Sequence, residues 1–247
     1  MINLYNQKTQ PDSTHKDIEM SIFEHIEELR DRTIKATIFF IIITGITFIH
    51  VNEISNILKE PAIGIQFLQL APGEYFFSSI KISSYMGLII SSPFVIYQCV
   101  LFILPGLTEK ETKFFLPILL SSIFLFFLGL YFSYTTLIPA AINFFINYGS
   151  EIVEPFWSFE QYFDFILILL ISTGLAFQVP IIQIIIGLIG IISSKQMIRS
   201  WKYIILLSTI ISAILTPSTD PFTQLFLSSA ILSLYFIGIF ILITLGK

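Results

Sequence analysis

The chain has 247 residues, 55% of them hydrophobic and only 12% charged, with a mean hydropathy of +0.84. A soluble domain carries about 25% charged residues, so this composition excludes a soluble globular protein, and the formal net charge of −4 speaks against nucleic-acid binding. The one cysteine, Cys99, cannot form an intrachain disulfide, and His15, His25 and His50 lack metal-ligand spacing; no metal and no cofactor is expected.

Residues 1–20 mix acidic and basic side chains. They fit neither a secretory signal nor an acid-poor transit peptide and are expected to be a disordered tail ahead of a membrane domain spanning 21–247. Residues 15–35 hold ten of the chain's thirty charged residues. Ser21 and Glu24 fit a capping box, which predicts a helix from Ile22 into the first apolar run. Ile22, Ile26 and Leu29 form one helical stripe, and Glu28–Arg32 and Asp31–Lys35 stand at i,i+4. Such a stretch is either a solvated juxtamembrane helix or a surface for another cis-side element.

Six apolar segments follow: Ile34–Val51, Phe76–Leu104, Phe114–Ile138, Phe159–Ile192, Tyr203–Leu215 and Phe222–Leu245. A spanning helix needs about 20 residues. The second and fourth exceed this and carry Pro93 and Pro180, each of which frees a carbonyl four residues earlier. The fifth reaches only roughly 20 Å. Eleven of the thirteen Lys and Arg fall on the side of the N-terminus, the cis side, which sets an N-in, C-in orientation. Asn52–Tyr75 and Pro139–Ser158 are read as trans loops. Further caps are predicted at Thr108–Glu111, at Ser158–Gln161, and at Asp220 followed by Pro221. The fold class is therefore all-α, a polytopic membrane protein with six transmembrane helices, the fifth short.

Few side chains inside the apolar segments carry chemistry. Lys81 and Asp164 lie near trans ends and can snorkel. Gln98 and Gln178 lie deeper; each either satisfies backbone near a proline or docks a polar group of another helix. On the cis side, Glu28 and Glu111 are two carboxylates able to clamp a cation, and a guanidinium fits a carboxylate bidentately. Glu111 also fits its capping box. No nucleophile elbow, zinc-protease motif or phosphate loop is present, so no catalytic residue is assigned and an enzyme is not expected. A proton-coupled small-molecule transporter with discontinuous helices is the alternative, but it would place charges near the midplane.

These residues resemble the TatC family of the twin-arginine translocase over about Ser21 to Gly238. His25-Ile-Glu-Glu-Leu-Arg-Asp-Arg32 looks like the family's cis motif. Gln69-Leu-Ala-Pro-Gly-Glu-Tyr-Phe-Phe77 resembles the cyanobacterial and plastid form of the first trans loop. Ser92-Pro-Phe-Val-Ile-Tyr-Gln98, Pro105-Gly-Leu-Thr-Glu-Lys-Glu111, Phe177-Gln-Val-Pro180 and Leu215-Thr-Pro-Ser-Thr-Asp-Pro-Phe-Thr-Gln224 complete the match. The resemblance implies a concave, glove-like bundle that recognises twin-arginine signal peptides and moves folded cargo across an energy-transducing membrane, driven by the proton-motive force. It implies single-span TatA-like and TatB-like partners and self-association in a larger complex within the lipid bilayer. By similarity, Glu28 and Glu111 contact the paired arginines while Arg30 and Arg32 orient those carboxylates. Gln178, Gln98, Thr216, Asp220 and Gln224 are the expected partner-docking positions. Many bacterial members have Glu where this chain has Phe236, so any role of that Glu is not carried over. The Gln178 form, the first-loop sequence and the Ile- and Phe-rich composition point to the plastid thylakoid, with cyanobacterial and mitochondrial membranes as alternatives.

Overall fold

A computed structural model describes residues 22–62, 64–103, 113–148, 156–216 and 220–245. The expected tail, the cap at Ser21 and the Thr108–Glu111 box lie outside the described residues, as does Glu111 itself.

The first helix, α1 (Ile22–Ile49), has 28 residues, about 42 Å at 1.5 Å per residue. That exceeds a hydrocarbon core of about 30 Å, so the charged stretch and the first apolar run share one helix and the charged turns project on the cis side. The trans connection opens with α2 (Val51–Lys59), which buries Val51, Ser55 and Leu58. Next comes α3 (Glu74–Ile103), with Pro93 inside it. Pro93 leaves the Ile89 carbonyl without its helical donor, and the Ser92 hydroxyl takes that carbonyl at 2.7 Å. α1 and α3 pack antiparallel through small residues. A Cβ on Gly87 would strike Thr44, its Cα included at 2.9 Å, and buried Thr47 donates to the Ser83 carbonyl at 2.9 Å. Small residues of this kind let membrane helices approach closely.

The third span differs from expectation. α4 (Phe115–Phe132) passes through a π-helical turn at Ser133–Leu137 directly into α5 (Ile138–Tyr148), so the helix continues ten residues beyond Ile138 into the segment read as a loop. Pro139 sits at the start of α5, where the widened turn accommodates its missing N–H. Ile138, Ala141 and Ile142 then fall on one buried face. The fourth span divides into α6 (Phe159–Ala176) and α7 (Val179–Leu188), broken at Phe177 and Gln178 ahead of Pro180. α6 is the centre of the bundle: Phe163, Ile166, Leu167 and Leu169 are fully buried. On the cis side, α8 (Ser194–Arg199) opens with a complete Ser193–Gln196 capping box. The short α9 (Trp201–Leu215) is followed by α10 (Pro221–Thr244), capped by Asp220 as expected. Among the described residues, five spans are long and apolar enough to cross a membrane, and α9 is a shorter apolar helix. The protein is a polytopic helical membrane protein.

One element has no counterpart among the sequence-based expectations. Two short strands, β1 (Gln66–Leu68) and β2 (Phe156–Ser158), pair in parallel with Phe67 opposite Trp157. Tyr162 donates to the Leu58 carbonyl and Tyr134 to the Ile57 carbonyl, both at 2.9 Å. The trans connections are thereby tied into one cap over α6.

Candidate functional site

On the cis turns of α1, Glu28 and Arg32 form the expected i,i+4 pair. Arg32 Nε donates to Glu28 Oε1 at 2.9 Å, and Nη2 reaches the same oxygen. The side chains keep only 17% and 21% of their surface exposed, so this pair is screened less than a surface pair. Arg32 Nη1 also reaches Gln98 Oε1 on α3, at 3.5 Å. One guanidinium thus fixes the carboxylate on its own helix and anchors it to the next.

The second Glu28 oxygen, Oε2, is buried and has no hydrogen-bond partner among the described residues. An ionised carboxylate offers about four lone-pair sites, and those on Oε2 are unfilled. His25 Nδ1 is 3.9 Å away. The His25 ring stacks on Phe102 of α3, with centroids 4.2 Å apart and planes at 16°. The arrangement is a preorganised acceptor beside an aromatic shelf, a geometry that takes a planar cationic donor.

The other predicted cis residues part company here. Arg30 projects outward, 63% exposed, and pairs with Glu27 at 3.2 Å and Asp31 at 3.3 Å. Asp31 is therefore engaged by its neighbour and not in the i,i+4 pair expected with Lys35. Gln98, expected with the docking residues, instead lies in the Glu28 cluster, because α3 runs antiparallel to α1 and returns to the cis face.

Gln178 sits in the break between α6 and α7 and meets Ser122 of α4. The Ser122 hydroxyl donates to Gln178 Oε1, and Gln178 Nε2 donates to the Ser122 carbonyl at 3.0 Å. Thr216, Asp220 and Gln224 are brought together at the α9–α10 turn. Thr216 donates to the Ser212 carbonyl at 2.8 Å, Ser212 to the Gln224 carbonyl at 2.7 Å, and Gln224 Nε2 to the Thr209 carbonyl at 3.4 Å. Asp220 is 1% exposed and accepts from the Thr223 backbone at 2.7 Å and from its hydroxyl. The Ser212–Gln224 and Gln224–Thr209 bonds join α9 to α10, while Thr216 and Asp220 bond within the ends of their own helices. Beside them α9 exposes Leu206, Ile210 and Ile214, an apolar face at helical spacing.

Two trans clusters escaped the sequence-based expectations. Glu74 accepts four hydrogen bonds: from the Leu70 and Ala71 backbones at 2.6 and 3.1 Å, the Ser158 hydroxyl at 2.9 Å and the Glu160 backbone at 3.0 Å. It therefore completes the N-cap of α6 begun by Ser158, whose Oγ accepts from the Gln161 backbone. Lys81 does not snorkel alone; it bridges Glu160 at 2.6 Å and Asp164 at 2.8 Å. The signal available for Lys81 was the opposite charge of Asp164. Nothing local marked Glu74 or Glu160.

Comparisons with known proteins agree with this layout. The family model described as Sec-independent protein translocase protein (TatC) matches residues 24–229. The chain is 62% identical over 229 residues to the "Uncharacterized tatC-like protein ycf43" of Gracilaria tenuistipitata var. liui, covering 93% of this chain and 96% of that one. It is 47% identical over 233 residues to the chloroplastic Sec-independent protein translocase protein TATC of Oryza sativa subsp. japonica, covering 94% of this chain and 65% of that one. A crystal structure of the twin arginine translocase receptor TatC superposes with a TM-score of 0.80 at 35% identity, over 91% of this chain and 100% of that one. Sequence, fold and cis motif converge, and the chain belongs to the TatC family of Sec-independent protein translocase proteins.

Proposed function

We propose that this chain is the signal-peptide receptor and scaffold of a twin-arginine protein translocase, acting without enzymatic turnover. The observation that carries the proposal is the Glu28 carboxylate, held at one oxygen by Arg32 and open at the other. A guanidinium from the cis side can fill Oε2, and Glu111 supplies the second carboxylate for the second arginine of the pair. Arg32 positions Glu28, whereas Arg30 contributes positive charge to the cis surface. Folded cargo then crosses under the proton-motive force, with TatA-like and TatB-like single-span subunits and further copies of this chain completing the complex. The apolar face of α9 is the docking surface for such a helix. Gln178 joins it through its second amide hydrogen, and Thr216, Asp220 and Gln224 hold the hairpin that presents that face. Residues 21–247 are the membrane domain and 1–20 a tail outside it. The chloroplastic and ycf43 relatives support a plastid membrane, the thylakoid, as its location.

The test is crosslinking of a twin-arginine signal peptide to the protein in membranes, for wild type, Glu28→Ala and Glu111→Ala, and with an Arg-Arg→Lys-Lys peptide. The proposal expects a crosslink that each change weakens. A wild type that gives no crosslink, or one indifferent to all three changes, overturns it.

A further inference from the structure

Between the cis halves of α1 and α3 runs a groove of about 560 Å³. α1 lines it with Thr33, Ala36 and Thr37, and α3 with Leu88, Val95 and Phe102. Its cis half is also lined by Arg32, which holds Glu28, and by Gln98, which Arg32 reaches. The groove is therefore continuous with the carboxylate site and leads from it into the apolar layer.

We infer that this groove holds the apolar core of the signal peptide, directly following the arginine bound at Glu28; the inference rests on the receptor reading above. Three observations select that occupant. First, the lining on α1 extends from Leu29 to Phe40, about 16 Å of helix, and a signal peptide carries an apolar run of about 7–15 residues, roughly 10–22 Å as a helix. Second, the charged and amide side chains of the lining, Arg32 and Gln98, stand in its cis half, toward the side from which the positively charged part of such a peptide precedes its apolar run. Third, Thr33, Ala36 and Thr37 are small and stand at i, i+3 and i+4. In hydrocarbon an apolar helix gains nothing from burial alone, and small residues that permit close approach supply the packing that distinguishes a protein groove from lipid. His25 links the two halves of the site, since its ring lies on Phe102 while its Nδ1 faces Glu28.

Cys99, the chain's only cysteine, lines the groove and is exposed, so the native protein carries its own reporter. In membranes containing the intact complex, the rate of Cys99 modification by the membrane-permeant N-ethylmaleimide is measured with and without a twin-arginine signal peptide. Binding is read in parallel by the crosslink of the peptide's arginine region to the cis face. Saturating peptide is expected to slow modification by about tenfold or more, by mass action, and a peptide with its apolar run replaced by Gly and Ser to leave the rate unchanged. Thr37→Trp, which fills the groove, is expected to weaken the full peptide about tenfold while leaving its thermal transition near wild type. Should the peptide crosslink at the cis face while Cys99 reacts at its free rate, the groove holds lipid only; the inference is overturned and the receptor reading stands. Should purified single-span subunits protect Cys99 without any peptide, the groove belongs to a partner helix and the inference is likewise overturned. A peptide that produces neither crosslink nor protection overturns the receptor reading itself.

Discussion

Arg32 occupies one oxygen of Glu28 and leaves the other, buried, without a partner among the described residues. The pair lies within one helix, yet Arg32 also touches Gln98 on α3, so the orientation of the carboxylate depends on how α1 and α3 pack. A carboxylate held this way keeps its orientation when a neighbouring side chain yields to an arriving guanidinium, and preorganisation of that sort lowers the cost of binding.

The two cis arginines should therefore separate by mutation. Arg32→Gln removes the group that aims Glu28 and is expected to weaken twin-arginine peptide binding about tenfold or more, since each factor of ten is about 1.4 kcal/mol. Arg32→Lys should recover only part of this, because an ammonium cannot reproduce the fork. Arg30→Gln removes exposed pairs with Glu27 and Asp31 and should change affinity by less than about threefold, the scale of surface ion pairs. Peptide titration of the three variants checks the order.

At Gly87, α3 lies close against Thr44 of α1. Gly87→Ala forces a methyl against the Thr44 backbone, which cannot move without shifting the helix. A loss of about 1–3 kcal/mol is expected, the range for overpacking. Because Glu28 and Gln98 sit on the same two helices, peptide affinity should fall together with the thermal transition measured in detergent.

Glu74 gathers four donors from two segments of the trans side. Glu74→Gln keeps the size but turns one acceptor oxygen into a donor that faces the Leu70 and Ala71 N–H groups or the cap of α6. The trans cap should loosen. The expected readouts are a Tm lower by several degrees and faster proteolysis between β1 and α3, with cis-side peptide binding retained.

Gln178 and Ser122 exchange two hydrogen bonds across the α6–α7 break. Gln178→Leu is expected to cost about 1 kcal/mol, the usual scale of such bonds between membrane helices. Ser122→Ala should cost less, because the Ser122 carbonyl remains. A double-mutant cycle should show coupling between the two positions. If Gln178 also docks a partner helix, Gln178→Leu will lower copurification of single-span subunits and Ser122→Ala will not.

What could be read from the sequence was what is local. Apolar run lengths, charge asymmetry, the caps at Ser158 and Asp220, and the Glu28–Arg32 pair all depend on residues within about a turn or on composition along one segment. The α4–α5 continuation was missed because Pro139 argued for a break, while a π turn accommodated it. The β1–β2 pairing, the Lys81 bridge to Glu160 and Asp164, the four donors of Glu74 and the Gln178–Ser122 exchange mostly join residues 56 or more positions apart. Hydrophobic periodicity carries no information at that range. Gln98 shows the same limit: its polarity left it open between satisfying backbone and docking another helix, and only the antiparallel return of α3 brings it to Arg32.

The most direct measurement of the central claim is a double-mutant cycle between protein and peptide. Affinities are measured for wild type and Glu28→Gln, each against a twin-arginine peptide and against peptides in which one arginine or the other is replaced by Gln. If Glu28 Oε2 receives an arginine, the losses from Glu28→Gln and from one of the two replacements will not add, and the coupling will be about tenfold or more. Losses that simply multiply at both arginine positions would place the peptide's arginines elsewhere and contradict the receptor site built on Glu28.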